Sequence, residues 1–568
     1  MRLILLATCG LTLSACATPG ASRGDVDRID RAEGVEIGGD PYGLFLAGQA
    51  ALNAGRAQEA QRLFGRARAA APDSSLLRTR AFSAALAAGD VDKAVTLAPG
   101  PEADADLRSL GRLALAVHAL AAGRDKAAYA QLSGEAFAAP HTLAAALLKP
   151  WAAAGAGQPL PTADAGGESA LAEAVADVGG IELLERAGRF VEADGQAATL
   201  DPATASGVAV LSHGAYLERR RRAPEAARLY QAALTARPDD VELQAALARA
   251  LAGRMPPAAP SLRQGAAEGL LVPAVILAGA RQTETALAYL RLALHLDPQR
   301  DEAWVTLGEL LATEGDLEGA RRAFLMPKRG SPQYPISRAR LSLALEDAGR
   351  KEEALATARA AAEAAPEILG LQEAYAALLV ERGRFDDAAA LFDRVLATDQ
   401  GKRSWRPWYL RGAAHERAGR WAEGERDLLQ ARALAPEEPE VLNYLGYGWI
   451  DRGQRLQEAL GMIQRAADLR PRSGAIIDSL GWAHYRLGDF AEAVTRLERA
   501  AELEPGDPVI NDHLGDAYWR AGRRVEAHFQ WTRVLELEPE AELKAAAQAK
   551  LASPLGPDRR PRAVAAGT

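Results

Sequence analysis

Pro471 to Pro505 reads PRSGAIIDSLGWAHYRLGDFAEAVTRLERAAELEP, and Gly506 to Pro539 reads GDPVINDHLGDAYWRAGRRVEAHFQWTRVLELEP. Pro471, Pro505 and Pro539 stand 34 residues apart, and the same residue types recur at fixed offsets before each. The first stretch carries Leu480-Gly481, Gly488, Ala493, Leu497 and Ala500; the second carries Leu514-Gly515, Tyr518, Gly522, Ala527, Trp531 and Val534. A unit of two antiparallel helices writes a period of this length. The small residues follow from that geometry: Gly481 and Ala493 fall where the two helices of one unit cross, and a larger side chain would push them apart. Leu480, Leu497 and Ala500 fill the seam with neighbouring units, and the proline stops the second helix before the next unit begins. From Val441 to Pro539 the unit is written three times in register.

The pattern is that of the tetratricopeptide repeat (TPR), and it extends outward from these units with decreasing regularity. Towards the C-terminus, Glu540 to Ala552 is polar on one side and reads as the capping helix a solenoid end requires. Residues 553–568 read as a disordered tail rich in proline and arginine (Arg559, Arg560, Arg562). Towards the N-terminus, 301–539 is expected to hold well-formed repeats, 166–300 irregular ones, and 41–165 degenerate helical repeats. Within them Leu44, Gly48, Gly55, Ala60, Phe64, Ala67 and Pro72 match the offsets, as do Gly214, Leu217, Ala226, Tyr230, Ala233 and Pro238. Three interruptions stand out: 152–167 as a loop or hinge, Gly253 to Pro260, and Pro327 to Pro335, which must shorten the helix before it. The fold class is therefore all-α, a TPR helix-turn-helix solenoid with a C-terminal cap.

Composition agrees. Hydrophobic residues make up 48% of the chain but aromatic ones only 5%, which suits closely packed, alanine-rich helices. A formal charge of −8 argues against nucleic acid as a partner. The only cysteines, Cys9 and Cys16, lie at the extreme N-terminus, so neither a disulfide framework nor a cysteine metal site is expected in the body.

Arg2 precedes an apolar run, Leu3 to Leu13, shorter than the roughly 20 residues of a membrane-spanning helix and built like a secretory signal. It ends in Leu13-Ser14-Ala15-Cys16, which resembles the bacterial lipobox. The resemblance implies a signal peptide at 1–15, lipidation of Cys16, and a flexible tether over 16–40. Two or more acyl chains anchor stably. Ala17, rather than an aspartate, implies an outer-membrane, periplasm-facing location.

Chemistry is hard to find. His415-Glu416 lacks the second histidine of a zinc-protease helix, and Gly401-Lys402-Arg403-Ser404 lacks the upstream glycine of a phosphate loop. No nucleophile elbow occurs and the eight histidines are scattered, so no catalytic residue, cofactor or metal site is expected. Arg219 to Arg222 reads as a solvated basic turn, with an anionic contact as the other reading.

What remains is a surface. In a TPR array the first helices of successive units line a concave groove. Its offsets hold Arg406, Tyr409, Glu416 and Arg417, then Asn443, Tyr447 and Asp451. The last two units add Asp478, Trp482, Tyr485 and Arg486, then Asp512, Asp516, Trp519 and Arg520. Rings interleaved with Asn, Asp and Arg suit capture of an extended peptide or a partner's helix. The other reading is that Trp482, Tyr485 and Trp519 only pack between units while the acids are solvated. Tyr409, Ala413 and Tyr444 occupy the positions of a chaperone-type carboxylate clamp, whose Lys/Asn/Arg set is absent.

Leu442-Asn443-Tyr444-Leu445-Gly446-Tyr447, Asp478-Ser479-Leu480-Gly481-Trp482 with Tyr485-Arg486, and His513-Leu514-Gly515 with Trp519 together resemble the large TPR lipoproteins of proteobacterial outer membranes. Some members of that group are adaptors that bring peptidoglycan hydrolases to periplasmic carboxyl-terminal processing proteases. The resemblance implies a non-catalytic adaptor with protein partners; a structural scaffold for outer-membrane assembly or polysaccharide export is the alternative.

Overall fold

The computed structural model describes residues 40–160, 170–237 and 240–553. The expected signal peptide, Cys16, nearly all of the tether and the tail from 554 onward lie outside the described residues. Among those described there are 30 helices and no strand. None of the helices is long and apolar enough to cross a membrane.

Local signals start and stop them. Asp507 caps the helix Pro508–Arg520 by accepting from the amides of Val509 and Ile510, and Pro508 occupies its first turn. Gly488 ends the helix Gly474–Leu487 at φ 85, a left-handed conformation that costs glycine nothing. At the crossing points close approach is compulsory. A Cβ on Gly481 would lie 2.6 Å from Leu497, and one on Gly515 would lie 2.5 Å from the Trp531 indole. Leu480, Ala493, Leu497 and Ala500 are fully buried, as their offsets predict.

Packing divides the chain into two compact units, which among the described residues are 40–364 and 365–553. The C-terminal unit is a regular series of pairs: Leu369–Glu381 with Phe385–Leu396, Trp405–Arg417 with Trp421–Leu434, Pro439–Asp451 with Leu456–Leu469, Gly474–Leu487 with Phe490–Leu503, and Pro508–Arg520 with Arg524–Glu536. Each pair packs on the next, and the first helices of successive pairs also touch. The capping helix, Ala541–Ala552, closes the series against Arg524–Glu536.

The N-terminal unit is built otherwise. Its helix Thr283–Leu296 packs on its own pair partner, Leu262–Gly279, and also on Ser75–Ala88, Val91–Thr96 and Ala105–Ala121. Leu262–Gly279 lies in turn against Thr142–Ala156. One core therefore runs from Leu44 to Ala354, while helices between Ala170 and Leu251 hold a separate cluster around Ile181, Tyr216, Tyr230 and Leu243. The chain leaves the first block, makes this excursion, and returns to close on it.

Two expectations are corrected here. The loop foreseen over 152–167 begins later, because the helix Thr142–Ala156 continues through Ala152 with Trp151 and Ala152 in the core; residues 161–169 lie outside the described residues. Nor is Arg219 to Arg222 simply a solvated turn. Arg219 makes two bonds to Glu185 at 2.9 and 2.7 Å, and Arg222 pairs with Glu225 and Asp194. The interruption after Phe324 behaves as expected: the preceding helix, Leu317–Phe324, has only 8 residues.

Candidate functional site

The candidate surface is the row of first helices in the C-terminal unit. At its centre Trp482 is held between two rings: Tyr485, at 4.6 Å and 9°, and His513 of the next pair, at 4.1 Å and 17°. His513 Nδ1 in turn lies 3.0 Å from both carboxylate oxygens of Asp478. Burial opposes charge on His513, but Asp478, and further off Asp512 and Asp516, outweigh it and raise its pKa. A ring–ring–imidazole–carboxylate chain thus runs across two repeats. Its indole and phenol are half-buried, so the same rings pack between units and reach the surface.

Further along towards the N-terminus a second aromatic group is formed by Trp405, Tyr409 and Tyr444, with centroids 5.9 Å apart for the first two and 5.5 Å for the second two. Arg406 approaches Glu373 at 3.4 Å. Glu416 accepts from Tyr444 and from Arg452 at 3.2 and 2.8 Å. Tyr447 is half-buried, and burial followed by the nearby Asp478 pushes its pKa up to about 12. Asn443 is half-buried with its side-chain oxygen lacking a hydrogen bond. Arg486 donates to the Asp451 carbonyl at 3.0 Å, and Arg520 reaches the Tyr485 hydroxyl at 3.5 Å.

The acidic end is different. Asp512 and Asp516 are not solvated: both are buried, and the capping helix delivers Lys550 Nζ to within 2.7 Å of each. Asp516 also accepts from the Trp531 indole at 3.0 Å. Burial raises the Asp516 pKa, with Lys550 opposing. Trp519 packs at a tilt against Trp531, at 5.7 Å and 37°. The sequence reading places both acids in an open groove, whereas the cap closes over them.

Sequence reasoning also missed His513 as part of the site. Its signal was available: Asp478 and His513 are 35 residues apart, one repeat plus one position, which places them on facing first helices of adjacent pairs. In the N-terminal unit, folding gathers Asp92, His118 and His295, which no spacing rule connects.

Residues 262–538 match the tetratricopeptide repeat family profile. A stretch of 149 residues is 30% identical to the TPR repeat-containing protein PA4667 of Pseudomonas aeruginosa, covering 20% of this chain; the match spans about a quarter of that relative's length. Among solved structures the chain is similar to a tetratricopeptide repeat protein of Parabacteroides merdae at 15% identity and TM-score 0.38, over 44% of this chain and 98% of that one. It is also similar to the Cut9–Hcn1 heterotetramer of the APC/C at 14% identity and TM-score 0.38, over 90% and 96% of the respective chains. YrrB, a TPR protein with an unusual peptide-binding site, is 20% identical at TM-score 0.26, over 34% and 97%. By repeat spacing, helix-pair geometry and profile match together, residues 262–538 are tetratricopeptide repeats, modules of protein-binding scaffolds.

Proposed function

We propose that this chain is a non-catalytic adaptor of the cell envelope, anchored through Cys16 to the outer membrane and facing the periplasm. Its first-helix face in the C-terminal unit holds a protein partner. The observation that carries this reading is the tier Tyr485–Trp482–His513, pinned by Asp478. Rings already fixed in place lose little side-chain freedom on binding, so their contact area converts efficiently into affinity. Arg486, Arg520 and Asp451 beside them supply polar groups for a partner's backbone. The partner implied by the resemblance is a carboxyl-terminal processing protease, with peptidoglycan hydrolases as its substrates.

The test uses the chain with Cys16→Ser, secreted as a soluble tagged protein and crosslinked in the periplasm. A Trp482→Ala/Trp519→Ala variant runs beside it. Capture of a processing protease or wall hydrolase, lost in the variant, is the expected result. An aromatic anchor at the centre of an interface is worth about 2 kcal/mol, so loss should be nearly complete. Capture of outer-membrane assembly or polysaccharide-export components alone would replace the protease adaptor with a structural scaffold. Equal capture by the variant would remove the aromatic face from the account.

A further inference from the structure

Asp92, His118 and His295 come from three separate helices of the N-terminal unit. Asp92 stands in the first turn of Val91–Thr96, His118 in the last turn of Ala105–Ala121, and His295 in the last turn of Thr283–Leu296. They meet because Thr283–Leu296 packs on both of the other helices. Asp92 Oδ1 lies 3.2 Å from His118 Nδ1 and 4.0 Å from His295 Nε2. One donor atom from each residue lies within 4.8 Å of the other two, and the imidazole centroids are 5.8 Å apart.

We propose that Asp92, His118 and His295 form a binding site for a single divalent transition-metal ion of the zinc class, which straps the N-terminal repeats to the returning helix Thr283–Leu296. Two imidazoles and one carboxylate are a donor set such ions take, with remaining positions left to water. Around a tetrahedral ion with bonds of about 2.0–2.1 Å, donors lie roughly 3.3–3.4 Å apart. The observed 3.2 and 4.0 Å need only small side-chain adjustments to reach that spacing.

Two further observations favour a cation over a simple histidine–carboxylate pair. His118 Nδ1 is buried and makes no hydrogen bond, although a carboxylate oxygen is 3.2 Å away. The two are close enough for an ion pair but not aligned for a hydrogen bond. Both histidines also stand in the last turns of their helices, where the backbone dipoles carry partial negative charge and favour a positive ion. Asp92 is largely exposed, which gives an ion a path in from solvent.

The experiment titrates the untagged full-length chain, with Cys9 and Cys16 replaced by serine so that no thiolate competes, with zinc chloride in a calorimeter. Cobalt chloride, followed by its visible absorption, reports the geometry. The expected result is one saturable ion per chain. His118→Ala and His295→Ala should each weaken binding by more than the roughly 10–100-fold lost with an outer-shell partner. His528→Ala, in the other unit, should leave it unchanged. Zinc should raise the unfolding temperature of the parent chain and not that of His118→Ala, because only a bound ion stabilises the native state by mass action. Should the variants lose their helical circular dichroism, the parent chain still decides: zinc must shield His118 and His295 from diethyl pyrocarbonate. No saturable binding, binding that survives His118→Ala and His295→Ala together, or no shielding would overturn the site.

Discussion

The two units use one repeat in two ways. In the C-terminal unit each helix pair packs on its sequence neighbours, so every pair does the same job and the same residues recur at the same offsets. In the N-terminal unit a helix such as Thr283–Leu296 also serves partners some 200 residues away, and its side chains answer to those partners. Arg291 is an example: its Nε donates to the Ala87 carbonyl at 3.2 Å, and burial pushes its pKa down to about 10. Tyr289 is another: its hydroxyl lies 2.5 Å from the buried His141, which Asp106 approaches at 2.8 Å from the other nitrogen. Trp151 fills the space left by Gly265, where a Cβ would lie 2.1 Å from the indole. Degeneracy of the repeat signature thus marks added long-range contacts rather than weak structure.

The comparison breaks most visibly at the cap. Lys550→Met would strand Asp512 and Asp516, and removing one member of such a buried ionic set costs about 3 kcal/mol or more. Hydrogen exchange should rise in Pro508–Arg520, Arg524–Glu536 and Ala541–Ala552 and fade within a repeat or two, with residues 40–364 unchanged. Spread of the effect through that unit would mean that the C-terminal array is not governed by neighbours.

A smaller loss, of about 1–3 kcal/mol, follows from overpacking a crossing point. Gly481→Ala, which meets Leu497, should loosen only the adjacent pairs. Gly265→Ala, which drives into Trp151, should raise exchange in both Thr142–Ala156 and Leu262–Gly279, on either side of the excursion. Equal, local responses at the two glycines would remove the distinction between the units.

The smallest effect is a divergence with pH. Burial, assisted by Arg222 at the second site, lowers the pKa values of His141 and His213 against the opposing pull of nearby carboxylates. Their contribution to stability is complete above the unfolded value of about 6.5 and is lost as pH falls through the folded values. His513 is raised, so its contribution is complete below that value and is lost as pH rises through the folded one. Asp516, also raised, acts in the same direction as His513. Protease sensitivity mapped from pH 5 to about 8.5 should therefore increase on the acid side in the helices around His141 and His213, and on the alkaline side in the helices around His513. His513→Asn should flatten only the alkaline response.

The sequence made much of this legible where neighbours alone set the residues. The 34-residue spacing, the left-handed glycines, the shortened helix Leu317–Phe324 and the cap are local features with local causes. The closure of 262–364 on 41–156 was not legible, because most of its core is leucine and alanine that any helix pair would bury. For the same reason His118 and His295, 177 positions apart, carry no spacing signature. At the candidate surface the repeat offsets pointed to Tyr409, Tyr447, Trp482, Tyr485 and Trp519, but not to the rings of Trp405, Tyr444 and His513 that pack against them. Nor did they point to the burial of Asp512 and Asp516, since Lys550 lies in a cap outside the repeat pattern. The partner of Arg219, Glu185, belongs to a helix one pair earlier, and a run of arginines gives no hint of it.

The most direct test of the adaptor account is hydrogen exchange on the full chain with and without its crosslinked partner. The account predicts protection over Trp405–Arg417, Pro439–Asp451, Gly474–Leu487 and Pro508–Arg520, strongest around Trp482, with the second helices little changed. Protection confined to the second helices, or to residues 40–364, would contradict it.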